Sequence, residues 1–192
     1  MGLLLGTQRP MQGAAPSTWV TRWSHLVLPG ARVLDVACGS GRHLAWFAAR
    51  GHPVLGIDRD VSAASGLGDA AELIHADIES GAWPLTADDK PQVFGAVVVT
   101  NYLWRPLLPT LLQSLAPGGV LIYETFAVGN ETVGRPARPD FLLRPGELLE
   151  ACQGLRIVAF EDGFLNAPDR FVQRIAAVRP VCGNASPELY PL

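Results

Sequence analysis

The stretch ARVLDVACGSGRHLAWFAAR, residues 31–50, decides the fold. Residues 31–37 read as a buried strand rich in branched side chains. Gly39 and Gly41 supply a tight turn, and 41–50 carry Leu44, Phe47 and Ala48 at the spacing of one helical face, with Gly51 placed to end the helix. A strand that passes through a glycine turn into a helix opens a parallel α/β unit. The two glycines also let the backbone approach a ligand without Cβ obstruction. Glycines after a strand serve as plain turn residues too, so the motif needs companions before it implies chemistry.

Outward from this stretch the pattern repeats. Residues 53–58 form a second strand. A small-residue helix starts near Asp60, which is suited to N-capping, and leads to a third strand over 71–77. Residues 93–101 are the most hydrophobic run, as befits a central parallel strand buried on both faces. Five leucines at helical spacing place a helix over 106–115, and Pro117-Gly118-Gly119 turn the chain into a fifth strand over 119–126. A helix over 144–152 has Pro145 in its first turn, and 155–163 with 170–179 read as a hairpin closed through Asn166-Ala167-Pro168. The simplest architecture is a single α/β domain over 1–192, with 1–17 and 180–192 as irregular extensions. Residues 127–143 also fit no regular element, and they follow a strand's carboxyl end, where α/β proteins keep their ligands.

The 192-residue, 20.5 kDa chain is 48% hydrophobic and 17% charged, enough to build one core and too apolar for disorder. Its net charge of −3 comes from fourteen arginines and Lys90 against eighteen acidic residues, with no basic cluster, so long nucleic acid is not an expected partner. Cys38, Cys152 and Cys182 lie far apart and are expected as reduced thiols. The four histidines show no metal-ligand spacing, so no metal is expected. Three leucines near the amino terminus fall short of a secretory signal, and the longest apolar stretch, 93–103, is too short to span a bilayer. The expected location is cytoplasmic.

Two carboxylates give the glycine turn its meaning. Asp58 closes the second strand, where doubly wound folds place a carboxylate that accepts both ribose hydroxyls; a loop or N-cap aspartate is the plain alternative. A dinucleotide fits poorly, because its fingerprint requires a small residue where Leu44 stands, and Asp35 would oppose a pyrophosphate. Asp35 suits an ammonium group instead. A ligand with a cationic end, a ribose and a base satisfies both aspartates, and Asp77, after the third strand, could accept from an exocyclic adenine amine.

VLDVACGSG (33–41), VLGIDRD (54–60), HADIES (75–80), VVVTNYLW (97–104) and LAPGGVLIYETF (115–126) together resemble the Class I S-adenosylmethionine-dependent methyltransferases, over residues 18–179. The resemblance implies a Rossmann-like doubly wound sheet of seven strands, mostly parallel with the last antiparallel, and helices on both faces. It implies S-adenosyl-L-methionine as cofactor and S-adenosyl-L-homocysteine as product. It places Asp35, Ala37, Gly39 and Gly41 at the methionine part, Asp58 at the ribose, Arg59 beside the adenine, Asp77 and Ile78 at its edge, and Asn101 near the methyl donor. One departure is His43, where the family often has a third glycine. The run 124–148 is similar to that of the small bacterial methyltransferases related to tellurite resistance.

The expected reaction is in-line methyl transfer to a small-molecule acceptor, for which orientation matters more than a base. Tyr102 and Glu124 are the polar candidates if a base is needed, and Trp104, Arg105, Arg135 and Arg138 the candidates for acceptor contacts, the last two on a mobile lid over 127–143. Cys38 is expected as packing, His75 as a core histidine, and Trp19 with Trp23 as a cover for the sheet. A non-catalytic S-adenosylmethionine-binding domain and, less favoured, an NAD(P)-dependent oxidoreductase are the competing readings.

Overall fold

The computed structural model describes residues 15–181 and 189–192; Cys182 and the outer parts of both expected extensions lie outside them. Seven strands form one sheet: β1 (Val33–Val36), β2 (Val54–Asp58), β3 (Glu72–His75), β4 (Phe94–Thr100), β5 (Leu115–Phe126), β6 (Arg156–Leu165) and β7 (Arg170–Val178). Their order is β3-β2-β1-β4-β5-β7-β6. The first five run parallel, with Val33 opposite both Val54 and Ala96, while β7 is antiparallel to β5 and β6. The seven-stranded doubly wound arrangement expected from the sequence is thus the arrangement found.

Alternation along the strands builds two cores. Leu34, Val36, Val97, Val99, Leu121 and Tyr123 face one side, packed by α3 (Leu108–Gln113) and α4 (Glu147–Ala151) through Leu111 and Leu148. Val33, Val98 and Ile122 face the other, covered by α1 (Thr18–Trp23) and α2 (Arg42–Ala48) through Trp19, Trp23, Leu44 and Phe47. Val97, Val98 and Val99 are all fully buried, as three consecutive branched residues require of a strand covered on both faces. Trp19 and Trp23 stack edge to face at 5.6 Å, and the Trp19 indole N–H donates to the Ile175 carbonyl, so this pair does cover the sheet.

The helices are shorter than the sequence pattern suggests. The helix expected from Asp60 is a 3-10 stretch, Ser62–Ala70, broken at Gly68. Its small side chains bury only Ala64, too little to hold a full α-helix. The 106–115 segment is a 3-10 turn, Arg105–Leu107, followed by α3. Pro145 precedes α4, and Gly146 at φ 73 takes the N-cap. β5 begins four residues early because Leu115 pairs with Phe94 before the ladder shifts register. A small antiparallel ribbon, Thr86–Ala87 with Lys90–Pro91, was not anticipated. Among the described residues no helix is long and apolar enough to cross a membrane.

Candidate active site

The site forms where β1 and β4 end. Ala37 leaves β1 at φ 54 and Asn101 leaves β4 at φ 55, a left-handed conformation uncommon outside glycine that falls here at two adjacent strand ends. Gly39 and Gly41 continue the turn at φ 53 and 71. A Cβ on Gly41 would come within 2.7 Å of the Leu67 side chain and 3.1 Å of Ala64, so the turn is packed against the 62–70 segment. At Gly39 a Cβ would meet open space.

The same turn fixes Asp58. Its Oδ2 accepts the Gly39 N–H at 2.8 Å and its Oδ1 the Asp60 N–H at 2.9 Å, leaving each oxygen with acceptor capacity. Asp77 caps its own turn, accepting from the amides of Glu79 and Ser80 and from the Ser80 hydroxyl at 2.6 Å. These bonds, the Ser80 hydroxyl's first, hold its carboxyl below the usual range, so it stands ionised.

A cavity of about 530 Å³ lies over these groups, within the usual range of a small-molecule site. Of the residues singled out in the sequence, Ala37, Asp58, Arg59, Asp77, Ile78, Asn101 and Tyr102 line it. Glu79, Leu103, Thr125, Phe126, Pro136 and Phe141 also line it and were not foreseen. Glu79, Leu103, Thr125 and Phe126 sit inside the motifs that carried the resemblance. Pro136 and Phe141 come from the 127–143 segment, which was expected over the site, though neither residue was singled out as part of it.

Asp35 lies beneath the turn, 1% exposed, on the sheet face that carries α1 and α2, and neither carboxylate oxygen has a hydrogen-bond partner. Burial pushes its carboxyl up, against the opposing pull of His43, whose Nδ1 is 3.6 Å from Oδ2. Cys38 is buried packing with its thiol pushed up to about 12, chiefly by burial.

Several expected roles need correction. Burial, and then the charge of Glu79, push the Tyr102 phenol far above its ordinary value, so it stays protonated near neutral pH and is a poor base. Glu124 is not in the cavity: it is buried, accepts the Ser17 hydroxyl at 2.9 Å and pairs with Arg174 at 3.2 Å. Arg105 is committed elsewhere, reaching Glu147 at 2.6 Å and the Asp140 and Leu142 carbonyls at 2.8 Å. Arg135 is exposed and lines neither cavity described here. His75 is exposed at the edge strand, not a core residue.

A second cavity of about 420 Å³ shares Glu79 and Phe141 with the first and brings Trp104, Arg105 and Arg138 together. Arg138 there forms an exposed pair with Asp140 at 2.8 Å. The 127–143 segment is tied at both ends: Val128 N–H donates to Leu143, Leu143 N–H to Phe126, and the buried Asn130 bridges Pro136 and Phe171.

Comparison with known proteins agrees with this geometry at the level of the fold. No family model matches the chain. It is 37% identical over 125 residues to the ribosomal protein L11 methyltransferase of Burkholderia lata, an alignment covering 62% of this chain and 38% of that protein. The chain therefore spans well under half the length of the curated relatives it matches. Among solved structures, TehB from Haemophilus influenzae superposes with a TM-score of 0.71 at 17% identity, covering 88% of this chain and 64% of that one. The [4+2]-cyclase SpnF superposes at 0.60 and 16% identity, covering 88% and 85%. The fold is that of the S-adenosylmethionine-dependent methyltransferases, and the cyclase among its neighbours means that chemistry has to be argued from the site.

Proposed function

We propose that the protein transfers a methyl group from S-adenosylmethionine to a small-molecule acceptor. The observation that carries this reading is Asp58, held by the Gly39 and Asp60 amides in the lining of the cavity with acceptor capacity to spare. The residues fit the cofactor in three respects. Gly39 leaves open space for a ligand, Asp58 suits a ribose diol, and the buried Asp35 lacks the partner that an ammonium would supply. Asp77 and Ile78 would take the adenine edge and Arg59 its flank.

When bound, the sulfonium supplies an already activated methyl group. What the chain contributes is alignment. Asn101 and the left-handed backbone at Ala37 shape the wall near the strand ends, and Phe126, Pro136 and Phe141 give the cavity apolar sides that exclude water. With Tyr102 protonated and Glu124 paired, the reading assigns neither of them as a general base. Trp104 and Arg138 in the adjoining cavity are the acceptor contacts it favours.

A concave site of two adjoining cavities supports a small molecule over a folded protein surface. The relative named for ribosomal protein L11 favours the second reading, a protein acceptor. A dinucleotide is disfavoured because Leu44 fills the space beneath the turn, within 2.6 Å of where a Gly56 Cβ would stand. The reading places the protein in the cytoplasm.

Calorimetry with S-adenosylhomocysteine tests the proposal. Hydrogen bonds to a charged group contribute about 1.5–3 kcal/mol each, so Asp58→Ala is expected to weaken binding at least about tenfold while the variant keeps its fold by circular dichroism. Equal affinity in variant and parent removes Asp58 from the site. Absence of binding in the parent, or transfer that occurs only onto intact ribosomal protein, replaces the cofactor or the acceptor half of the proposal respectively.

A further inference from the structure

His43 stands at the position where a third glycine would give the turn more room, yet it is 1% exposed, hydrogen-bonded at one ring nitrogen and facing a carboxylate with the other. The Ser17 backbone N–H donates to Nε2 at 3.1 Å. That leaves the ring proton of the neutral imidazole on Nδ1, which faces Asp35 Oδ2 at 3.6 Å. Ser17 in turn donates its hydroxyl to Glu124 and caps α1 by accepting the Trp19 N–H. Beside it, the Ala15 carbonyl accepts from Arg42 at 3.3 Å. Residues 15–17 are therefore tied to the start of α2 and to the carboxyl end of β5.

We infer that His43 is a positioning residue of the cofactor site, joining the strap at Ser17 to the buried Asp35 carboxylate and keeping that carboxylate charged for a cationic ligand group. The inference rests on the cofactor reading above and adds to it a residue and a role. A glycine at 43 leaves the Ser17 amide without this acceptor and Asp35 without the ring N–H that faces it. The ring acts in its neutral form, since a second ring proton would point at the Ser17 N–H. The charged groups around this contact are Asp35 on β1, Asp58 on β2, Arg42 on the same helix, Glu124 on β5, and Arg170 and Arg174, which meet Glu124 from β7. Arg42 and the ring favour the Asp35 charge, while burial and Asp58 oppose it.

Two side-chain amides separate the ring's two contacts. The Asn amide overlays Nδ1 and retains a donor toward Asp35, whereas the Gln amide overlays Nε2 and retains an acceptor for Ser17. Nitrogen-resolved imidazole spectra of the ligand-free parent near neutral pH should show Nδ1 protonated and Nε2 as acceptor. S-adenosylhomocysteine affinity, followed by calorimetry from acid to neutral pH, should fall on the acid side as Asp35 takes up a proton. That limb is expected about one pH unit higher in His43→Gln and His43→Phe, with about tenfold weaker binding along it, and unmoved in His43→Asn. A ring protonated on Nε2, or a limb at the same pH in His43→Gln as in the parent, overturns the role. A parent that binds no S-adenosylhomocysteine overturns the cofactor reading and this role with it, while the ring spectrum still reports whether the Ser17 link exists.

Discussion

Asp35 shows how a single residue trades stability for binding. A carboxylate with no hydrogen-bond partner and 1% exposure disfavours the ligand-free fold, and burial raises its folded-state pKa above the unfolded value. The folded state then holds its proton more readily than the unfolded chain, so this group's contribution falls as pH rises from the ordinary aspartate range through the raised value. Asp35→Asn should therefore stabilise the ligand-free protein by about 1–3 kcal/mol near neutral pH, with the gain shrinking toward zero on acidification. The same change should weaken S-adenosylhomocysteine binding. Denaturant midpoints at acid and neutral pH check both sign and trend, and a variant less stable than its parent at neutral pH contradicts the account. The placement of Asp35, Asp58 and Asp77 was legible in the sequence because each sits at or just beyond a strand's carboxyl end, which strand patterning alone locates. The setting of Asp35 was not legible: the His43 ring that faces it is held by Ser17 across 26 positions, and Ser17 reaches Glu124 across 107.

At the scale of elements, patterning located the strands well and the helices less well. Strands in a sheet buried on both faces carry an unbroken apolar signal, whereas the ends of helices as short as α3 and α4 are set by tertiary packing, so periodicity placed them without fixing their lengths. The 127–143 segment carried the expectation of a mobile lid, and its anchoring depends on a residue assigned to the acceptor. Arg105 spans from the 3-10 turn after β4 to Glu147 on α4 and to the carbonyls of Asp140 and Leu142. Burial alone would raise the Glu147 carboxyl, but hydrogen bonds from Arg105 and the Arg144 amide outweigh it and hold it below its ordinary value. The pair therefore stabilises fully above the ordinary glutamate range and is lost as pH falls through the depressed value. Arg105 is one-third exposed on its side chain, so solvent screens part of the interaction. Arg105→Ala should cost about 1–3 kcal/mol near neutral pH and speed hydrogen exchange at the Phe141 and Leu142 amides, with the stability difference narrowing in acid. Unchanged exchange there would show that the Ala127–Leu143 bridge and Asn130 hold the segment by themselves.

For the whole molecule, strand order explains why these groups converge. The chain lays down β1, β2 and β3 in one direction, then crosses to place β4 on the other side of β1, so the crevice between the ends of β1 and β4 is the switch point where doubly wound sheets bind ligands. Ala37 and Asn101 mark its two sides, and both line the larger cavity. A ligand seated there touches β1, β2, β3, β4 and the segment after β5 together, so its binding energy should appear as stability of the entire domain rather than of one loop. At a ligand concentration of about 100 times Kd that linkage amounts to about 2.7 kcal/mol. For a chain of this size each kcal/mol moves the melting temperature about 2–4 °C, so saturating S-adenosylhomocysteine should raise it by about 5–10 °C. Reduced nicotinamide dinucleotide should leave it in place, because Leu44 occupies the space beneath the turn and Asp35 opposes a pyrophosphate. Asp58→Ala, which also removes the acceptor of the Gly39 and Asp60 amides, should lower the ligand-free transition somewhat and lose most of the ligand-induced shift at the same ligand concentration. A shift produced by the dinucleotide and not by S-adenosylhomocysteine would assign the crevice to hydride chemistry instead, and equal shifts from both would mean that the glycine turn recognises little beyond their common adenosine.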